Sequence, residues 1–466
     1  MDKTEKLGHM HSGTYPKGHD DERPKRPEKV LSTIDVIALI VGIVIGAGIF
    51  RVPSLVAANT ANGVMFMSTW VLGGLISLVG AMCYAELTTT YPNTGGDYHF
   101  LRKAYGNHIA FLFAWSRMSV VQSGSIALLA YIFGDYASQL LNLGQFSSII
   151  YASFAIISLT AINILGVKMG SGVQKFLTAI EVVGIIVIIV SGLIFSSEPV
   201  ELFAMSGEEN VTGNAFGLAM VFVLLTFGGW NEAAYISAEL QAGSKKMVKA
   251  FILGIFVITS IYFLINLSFL KVLGLQRMAE SNAVASDLMM DTFGNMGVWF
   301  IVILVAVAAL TSANATIFTG ARSNYALGRD FPLFAVLGKW DHRKSSPVNA
   351  FLIQGLIALG LVSLGLLSRD GFEAIVEYTA PVFWFFFLLV GVSLFVLRSQ
   401  NPERPIPFRV PLYPITPIIF CLTSAYLLYS SIIYTGLGAL VGIGVLFIGA
   451  LLLLFLSKRR FEKNAH

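Results

Sequence analysis

The chain has 466 residues, of which 55% are hydrophobic and 12% are charged, and it carries a formal net charge of +4. A water-soluble surface needs roughly 25–35% charged residues, so this composition excludes a soluble globular protein. Apolar stretches of about 20 residues recur along nearly the whole sequence and predict helices that cross a lipid bilayer.

The segment 1–30 is polar and rich in Lys, His, Asp and Pro. It has too few apolar residues to fold alone, so we expect a disordered tail. No short apolar core with a small-residue cleavage site precedes the first long apolar stretch, which argues against a cleavable signal. His9, His11 and His19 could bind a metal, but a mobile tail is the simpler interpretation, and we expect neither a metal nor a cofactor.

Twelve apolar stretches follow, and they predict an all-α integral membrane protein. The strands of a membrane barrel would alternate apolar and polar residues, whereas segment 182–190 is apolar on every side. The predicted spans are approximately 32–60, 63–89, 108–140, 146–166, 170–196, 214–242, 248–273, 296–328, 347–367, 371–398, 414–435 and 437–458.

The distribution of Lys and Arg between the loops predicts the orientation, because positively charged loops stay in the cytoplasm. With the N-terminus inside, about 26 basic residues fall in cytoplasmic segments and about 3 outside, so we expect both termini in the cytoplasm. The cytoplasmic loops face anionic headgroups of the bilayer and account for the net charge, so no nucleic-acid partner is implied. Cys83 and Cys421 lie inside predicted spans and do not suggest a disulfide.

The first span contains Gly42, Gly46 and Gly48, with Pro53 close behind. Glycine costs about 1 kcal/mol in a helix interior relative to alanine, so this cluster predicts an unwound segment in mid-membrane. A half-helix that restarts there offers free N–H groups and a positive dipole end to a carboxylate. We assign that role to the backbone of Gly46, Ala47, Gly48 and Ile49.

The sixth span repeats the pattern at Gly228 and Gly229, five spans later. Matching interruptions one repeat apart indicate a midplane binding site in inverted-repeat transporters. The carbonyls of Leu225 and Thr226 would face the amino group of a ligand there. The alternative is that the glycines of both spans serve only close helix packing. Selectivity would lie in the side chains of Leu225, Phe227 and Asn231.

Four motifs occur in order along the chain: 42–50 (GIVIGAGIF), 84–98 (YAEL followed by YPNTGGDY), 227–231 (FGGWN) and 402–411 (PERPIPFRVP). With them the sequence resembles the amino acid–polyamine–organocation superfamily, particularly its bacterial LAT-like amino-acid permeases, over about residues 30–460. The resemblance implies alternating access and a bacterial inner membrane. It also implies a LeuT-type core over 31–398, with inverted repeats at about 31–196 and 214–398, two peripheral spans over 399–460 and a cytoplasmic end at 461–466.

Three positions depart from that family's pattern. LAT-like members often carry a lysine in the fifth span, where its ammonium takes the place of a sodium ion, but this chain has Glu181. Relatives that pair with a heavy subunit use a cysteine between spans three and four. Segment 141–146 contains none, so no disulfide-linked heavy subunit is expected. The usual aromatic gate aligns with Leu225, which leaves Phe227 as the gating residue.

Five ionisable residues fall inside predicted spans, where an isolated charge costs at least about 2.5–3.5 kcal/mol. Arg117 and Glu181 lie at similar depth and could form an ion pair, or Glu181 could carry a proton that it exchanges between access states. Arg51 and Glu232 follow the two breaks and could pair across the pathway, with Arg51 as an external gate or a headgroup contact. For Glu86, at the cytoplasmic end of its span, capping or pairing with a loop is expected.

The eighth span offers Ser312 and Asn314 within an apolar stretch. In sodium-coupled relatives this region holds a cation together with the first helix, so sodium is an alternative to the proton as the coupling ion. Helix packing and backbone hydrogen bonding by these side chains are equally open.

These features predict a secondary amino-acid transporter. A polyamine or other organic-amine permease would also fit and would place Glu181 and Glu232 in the cavity. An ion channel or receptor would need a ring of charges or a filter loop, and the sequence has neither. An enzyme would need a nucleophile with its base or a metal cluster, so we predict no enzymatic activity.

Overall fold

The computed structural model describes residues 29–195, 213–240, 243–364 and 380–463. Regular structure in these ranges is helical, apart from two isolated backbone bridges. The α-helices are α1 Thr33–Val44, α2 Gly48–Ala58, α3 Gly63–Thr90, α4 Asp97–Tyr105, α5 Asn107–Ser116, α6 Gln122–Leu140, α7 Ser147–Leu165, α8 Val167–Phe195, α9 Gly213–Thr226, α10 Ser244–Glu280, α11 Val284–Phe293, α12 Asn295–Asp330, α13 Val348–Leu364, α14 Ala380–Gln400, α15 Ile415–Thr435 and α16 Ala439–Lys463. A π-helical turn covers Arg117–Val121, and 3-10 helices cover Trp230–Glu239, Pro332–Phe334 and Gly436–Gly438.

Ten helices of the described ranges are long and apolar enough to cross a membrane, and the bent pair α1 and α2 makes an eleventh. A further apolar helix, Val348–Ser363, is shorter. The prediction of an all-helical membrane protein is therefore confirmed. The ninth and tenth of the twelve predicted spans fall partly on 365–379, which lies outside the described residues, as do 1–28 and 464–466.

Most predicted spans coincide with the observed helices. The fourth, predicted at 146–166, is Ser147–Leu165, and the eighth, predicted at 296–328, is Asn295–Asp330. Gly166 ends the fourth span with φ 141, a conformation that favours glycine. A Cβ atom at this position would also lie 2.9 Å from the Lys344 carbonyl oxygen, so both the backbone conformation and the close contact require glycine here.

Both predicted helix breaks are present. The first span ends its first half at Val44 and restarts at Gly48, and the two halves are bent by 50°. In the sixth span α9 ends at Thr226, and the chain continues as the 3-10 helix Trp230–Glu239 after Gly229, whose φ is 108. The glycines at both places lower the cost of leaving helical geometry.

Three features inside or between the spans were not predicted. The third span, predicted as one helix, contains the π-helical turn Arg117–Val121, a distortion that is frequent at functional sites. The short helices α4 and α11 lie between spans. The π turn and α4 both contribute to the acidic cluster described below.

The first half of the first span, α1, packs closely against neighbouring helices. Helix α1 contacts α8, α10 and α12. A Cβ atom at Gly42 would lie 2.3 Å from the Thr178 hydroxyl oxygen, so only glycine allows this approach. The helix α1, which leads into the first break, is therefore packed directly against α8 and α12.

Glu86 pairs with a loop and a distant helix, as the sequence predicted. Its carboxylate accepts two hydrogen bonds from Arg398, at 2.7 and 2.6 Å, and one from the Val410 N–H at 2.6 Å. Both cysteines are free: Cys83 is buried and Cys421 is half-buried.

Candidate functional site

The two helix breaks lie side by side. A Cβ atom at Gly48 would be 3.6 Å from the Thr226 methyl group, and one at Gly229 would be 3.3 Å from an Ile43 side-chain carbon. The eighth span closes the same space, because a Cβ atom at Gly46 would be 3.0 Å from the Ser312 hydroxyl. The glycines therefore leave room where the first, sixth and eighth spans converge.

The first break presents backbone donors. The Gly46 N–H is used locally, by the Val44 carbonyl at 2.8 Å, and the Ile49 N–H makes a long bond of 3.4 Å to the Gly46 carbonyl. Within the described chain, the N–H groups of Ala47 and Gly48 have no backbone acceptor. They point from the beginning of α2, where the helix dipole is positive.

The second break presents carbonyl groups. The Leu225 carbonyl accepts the Gly228 N–H at 3.0 Å, and the Thr226 carbonyl lies 3.2 Å from the Tyr262 hydroxyl. The same hydroxyl donates to the Val44 carbonyl at 2.7 Å. Tyr262, on the seventh span, therefore bridges the carbonyl ends of α1 and α9, a role that the sequence analysis missed.

The two gating candidates of the sixth span face different surroundings. Phe227 is fully buried between Trp70 and Tyr262, with ring centroids 6.5 and 4.9 Å away. Leu225 is 47% exposed. In this conformation the exposed side chain at the break is thus Leu225, and Phe227 packs against the second and seventh spans.

Arg51 is exposed near the start of α2. The pairing of Arg51 with Glu232 considered from the sequence is wrong, because Glu232 pairs with Arg117 at 2.5 Å. This contact also replaces the alternative pairing of Arg117 with Glu181. The sequence gives the depth of these residues but not their direction around each helix.

Glu181 is fully buried in α8. Neither carboxylate oxygen has a hydrogen-bond partner among the described residues. Tyr262 lies within electrostatic range of it. The carboxyl group is therefore near the tyrosine that bridges both breaks, and no counter-charge acts on it among the described residues.

Arg117 belongs to a buried cluster with two carboxyl groups. Its guanidinium pairs with Glu232 and lies 4.3 Å from the centre of the Tyr235 ring, which adds a cation–π contact. Asn231, which lines a cavity together with Gly228 and Gly229, donates to the Asp97 carboxylate at 3.4 Å. Asp97 begins α4, outside the spans, and it was not among the predicted site residues.

The surroundings of Asp97 raise its pKa to about 7. Burial is the main cause, and the negative charge of Glu232 adds to it, while Arg117, Tyr84 and Asn231 oppose it. The Tyr84 hydroxyl faces this carboxyl without reaching hydrogen-bond geometry. Asp97 is thus a carboxylic acid that titrates near neutral pH.

Ser312 and Asn314, the candidate sodium ligands, are bonded to protein groups. Ser312 donates to the Gly42 carbonyl at 3.2 Å. Asn314 donates to Gln174 at 2.8 Å and accepts from Asn163 at 2.8 Å. Across the described ranges, no group of three or more His, Cys, Asp or Glu side chains could hold a metal.

The end of the bundle at which α1 begins is closed by pairing. The Leu31 N–H donates to the Glu239 carbonyl at 3.0 Å, and the Glu239 side chain forms a fully buried ion pair with Arg322 at 2.5 Å. Asp35 pairs with Lys175 at 2.9 Å. These contacts join the first and sixth spans to each other and to the fifth and eighth.

Known proteins are similar to this chain over most of its length. The amino acid permease family matches residues 31–456. The chain is 32% identical to b(0,+)-type amino acid transporter 1 of Homo sapiens over 416 residues, which cover 87% of this chain and 83% of the human protein. It is 29% identical to large neutral amino acids transporter small subunit 2 of Mus musculus over 440 residues, which cover 91% of this chain and 81% of the mouse protein.

Proposed function

From the premise that the chain belongs to the amino acid permease family, we propose that it is a secondary active transporter that moves amino acids by alternating access. The observation that supports this most directly is the adjacency of the two breaks, with the Gly48 Cβ position 3.6 Å from Thr226. The relatives are amino acid transporters, which are not enzymes.

The polarity of the two breaks suits a zwitterion. In the described part of the chain, the N–H groups of Ala47 and Gly48 at the beginning of α2 have no backbone acceptor, and α9 ends with carbonyls at Leu225 and Thr226. One helix end thus carries a partial positive charge and the other a partial negative charge. The carboxylate of an amino acid would bind at the first break and its ammonium group at the second.

The arrangement of breaks supports the LeuT-type repeat proposed from the sequence. The interruptions fall in the first and sixth spans, as expected when 31–196 and 214–398 are inverted repeats. We place the beginning of α1 on the cytoplasmic side, with both termini cytoplasmic and a bacterial inner membrane as the setting. The closed ion pairs of Glu239 and Asp35 then form the cytoplasmic gate, which opens when transport exposes the site inward.

Glu181 is the proposed proton carrier. An ionised carboxylate without a counter-charge or hydrogen-bond donor is expensive at this depth, so the surroundings favour the protonated form. Its position beside Tyr262 connects it to the carbonyls of both breaks. The Asn314 side-chain oxygen already accepts a hydrogen bond from Asn163, and the Ser312 hydroxyl is bonded to the Gly42 carbonyl, which favours a proton over sodium.

The charges around the site favour amino acids over polyamines. A polyamine permease would need free carboxylates in its cavity, and Glu232 is neutralised by Arg117. We also propose that the chain acts without a disulfide-linked heavy subunit, although one relative is named a small subunit. The loop between the third and fourth spans has no cysteine.

Uptake by purified protein in liposomes tests the function and the site together. We expect at least one amino acid, and no polyamine, to be transported and to raise the apparent melting temperature. Gly48→Phe should abolish both effects because its side chain would fill the space beside Thr226. Gly444→Phe, at a glycine with open space around it, is the matched control and should transport normally. Uptake by the Gly48→Phe protein would refute the site, and stabilisation by polyamines alone would refute the substrate class.

A further inference from the structure

The acidic cluster beside the second break holds an unbalanced set of charges. Asp97, Arg117 and Glu232 come from α4, the π turn of the third span and the 3-10 half of the sixth span. All three are buried, with exposed fractions of 3%, 4% and 6%. Two ionised carboxylates with one guanidinium would leave a net negative charge in a low-dielectric environment, which is costly.

The two carboxyl groups are not equivalent. Glu232 accepts directly from Arg117 at 2.5 Å, whereas Asp97 receives a weak contact of 3.4 Å from Asn231. The second oxygen of Asp97 is buried with no hydrogen-bond partner among the described residues. An ionised carboxylate needs donors to both oxygens, so the proton that balances the cluster belongs on Asp97.

We propose that Asp97, Arg117 and Glu232 form a proton-binding site, with the proton on Asp97, and that its occupancy determines how tightly the half-helix Trp230–Glu239 is held. The proton-binding property stands on the cluster alone. Its effect on a gate rests on the proposed alternating-access function. This site is separate from Glu181, which lies in the fifth span.

Protonation and the ion pair are coupled through Arg117. With a neutral Asp97, the guanidinium pairs with Glu232 alone and ties the sixth span to the third. With an ionised Asp97, two carboxylates compete for one guanidinium and repel each other. Loss of the proton therefore loosens the half-helix and favours opening at the end where α1 begins.

Other charged groups around α4 are already accounted for. Asp330 of α12 pairs with Arg102 of α4 at 2.6 Å and accepts from the Tyr98 hydroxyl at 2.7 Å. Burial lowers the pKa of His99 to about 4, so this side chain is neutral near pH 7. The Tyr84 hydroxyl faces Asp97, and the Tyr235 ring lies against the Arg117 guanidinium.

The sign of the pH effect follows from the raised pKa. In the closed state the pKa of Asp97 is about 7, and in an open, hydrated state we expect its ordinary value of 3.8. The closed state thus binds the proton more tightly, so lowering the pH from 7 towards 4 favours closure by up to about tenfold per pH unit. Raising the pH above 7 should change the ratio of open to closed protein little, because Asp97 is then ionised in both states.

Infrared titration of the full-length protein in detergent measures the proton directly. A component of the protonated-carboxyl absorption should disappear with a midpoint near pH 7 in the wild type. This component should be missing from Asp97→Asn, whose remaining absorption comes from Glu181. Asp330→Asn, which removes a paired carboxylate on the same side of the bundle, should keep this component. A wild-type spectrum that matches Asp97→Asn at every pH would overturn the proposal.

Opening at the end where α1 begins is measured by the distance between two spin labels, attached at Ala238→Cys and Arg343→Cys. Cys83→Ala and Cys421→Ala remove the two native cysteines, so that only the introduced ones are labelled. The closed population should grow as the pH falls in the wild type and in Asp330→Asn, and stay high at all pH values in Asp97→Asn. Neither readout needs a transported substrate, so failure here is distinguishable from failure of the proposed function. A pH response that survives in Asp97→Asn refutes its role in the gate.

Two further variants serve if Asp97→Asn does not fold. Glu232→Gln removes the charge that raises the pKa of Asp97, so the infrared midpoint should move to lower pH. Tyr84→Phe removes a hydroxyl that lowers this pKa, so the midpoint should move to higher pH. Opposite shifts support the site, and unchanged midpoints overturn it.

Discussion

Two acidic regions of this protein are equally buried but differ in how their charge is balanced. Among the described residues, Glu181 has no hydrogen-bond partner for either oxygen, whereas Glu232 is paired with Arg117 and shares its surroundings with Asp97. An ionised Glu181 would be costly in these surroundings and is neutralised by one proton of its own, whereas the proposed cluster needs one proton for two carboxyl groups. The comparison shows that burial alone does not assign a role to an acidic residue inside the membrane. The neighbouring charged and hydrogen-bonding groups determine whether its carboxyl group can gain or lose a proton.

The largest expected effect is on the stability of the folded protein, which should respond differently to substitutions in the two regions. Arg117→Met leaves two buried carboxyl groups without their cation, and breaking a buried ion pair in this way costs about 3–5 kcal/mol. Glu181→Gln removes an unpaired carboxyl and should change the stability little or raise it. Thermal unfolding in detergent measures both, with the exposed Arg51→Met as the control for loss of an arginine. Equal losses in Arg117→Met and Arg51→Met would show that the cluster is not an electrostatic unit.

The next effect concerns coupling. If Glu181 carries the proton, Glu181→Gln should lose the acceleration of uptake by an inward proton gradient and keep exchange of amino acids without a gradient. Glu280→Gln changes an exposed carboxylate at the end of α10 and should keep both. Uptake driven by the gradient in Glu181→Gln, at the wild-type rate, would remove Glu181 from coupling and leave the Asp97 cluster as the candidate.

The sequence predicted features that depend on neighbouring residues along the chain. The breaks at Gly46 to Gly48 and at Gly228 to Gly229 follow from the cost of glycine in a helix, and both are present. Span bounds follow from apolar length and from residues such as Gly166. The twelve-span count and the inverted repeats stay predictions, because part of the ninth and tenth spans lies outside the described residues.

The features that the sequence analysis missed depend on contacts through space. From the sequence, Arg117 could have formed an ion pair with Glu181, and only the packed helices show that it faces Glu232. Tyr262 lies in a largely apolar span, and nothing in the neighbouring sequence indicates that its hydroxyl contacts carbonyl groups at both breaks. Asp97 could have been found, because it lies in the segment 91–98 that carries the family resemblance and follows two glycines.

The smallest expected effect tests how Glu181 reaches the breaks. Tyr262→Phe removes the hydroxyl that donates to the Val44 carbonyl and lies beside the Thr226 carbonyl, a loss of about 0.5–1.5 kcal/mol. Tyr131→Phe removes a comparable buried hydrogen bond to the Val362 carbonyl, away from the breaks, and is the matched control.

Both tyrosine variants should therefore lose similar stability, but only Tyr262→Phe should weaken the apparent affinity for amino acids, by about 2- to 13-fold. The pH response of the Asp97 cluster should be unchanged in Tyr262→Phe, because the contacts that form this cluster do not include Tyr262. Equal uptake by the two variants would mean that the hydroxyl only fills a packing position, and Glu181 would then need another route to the substrate.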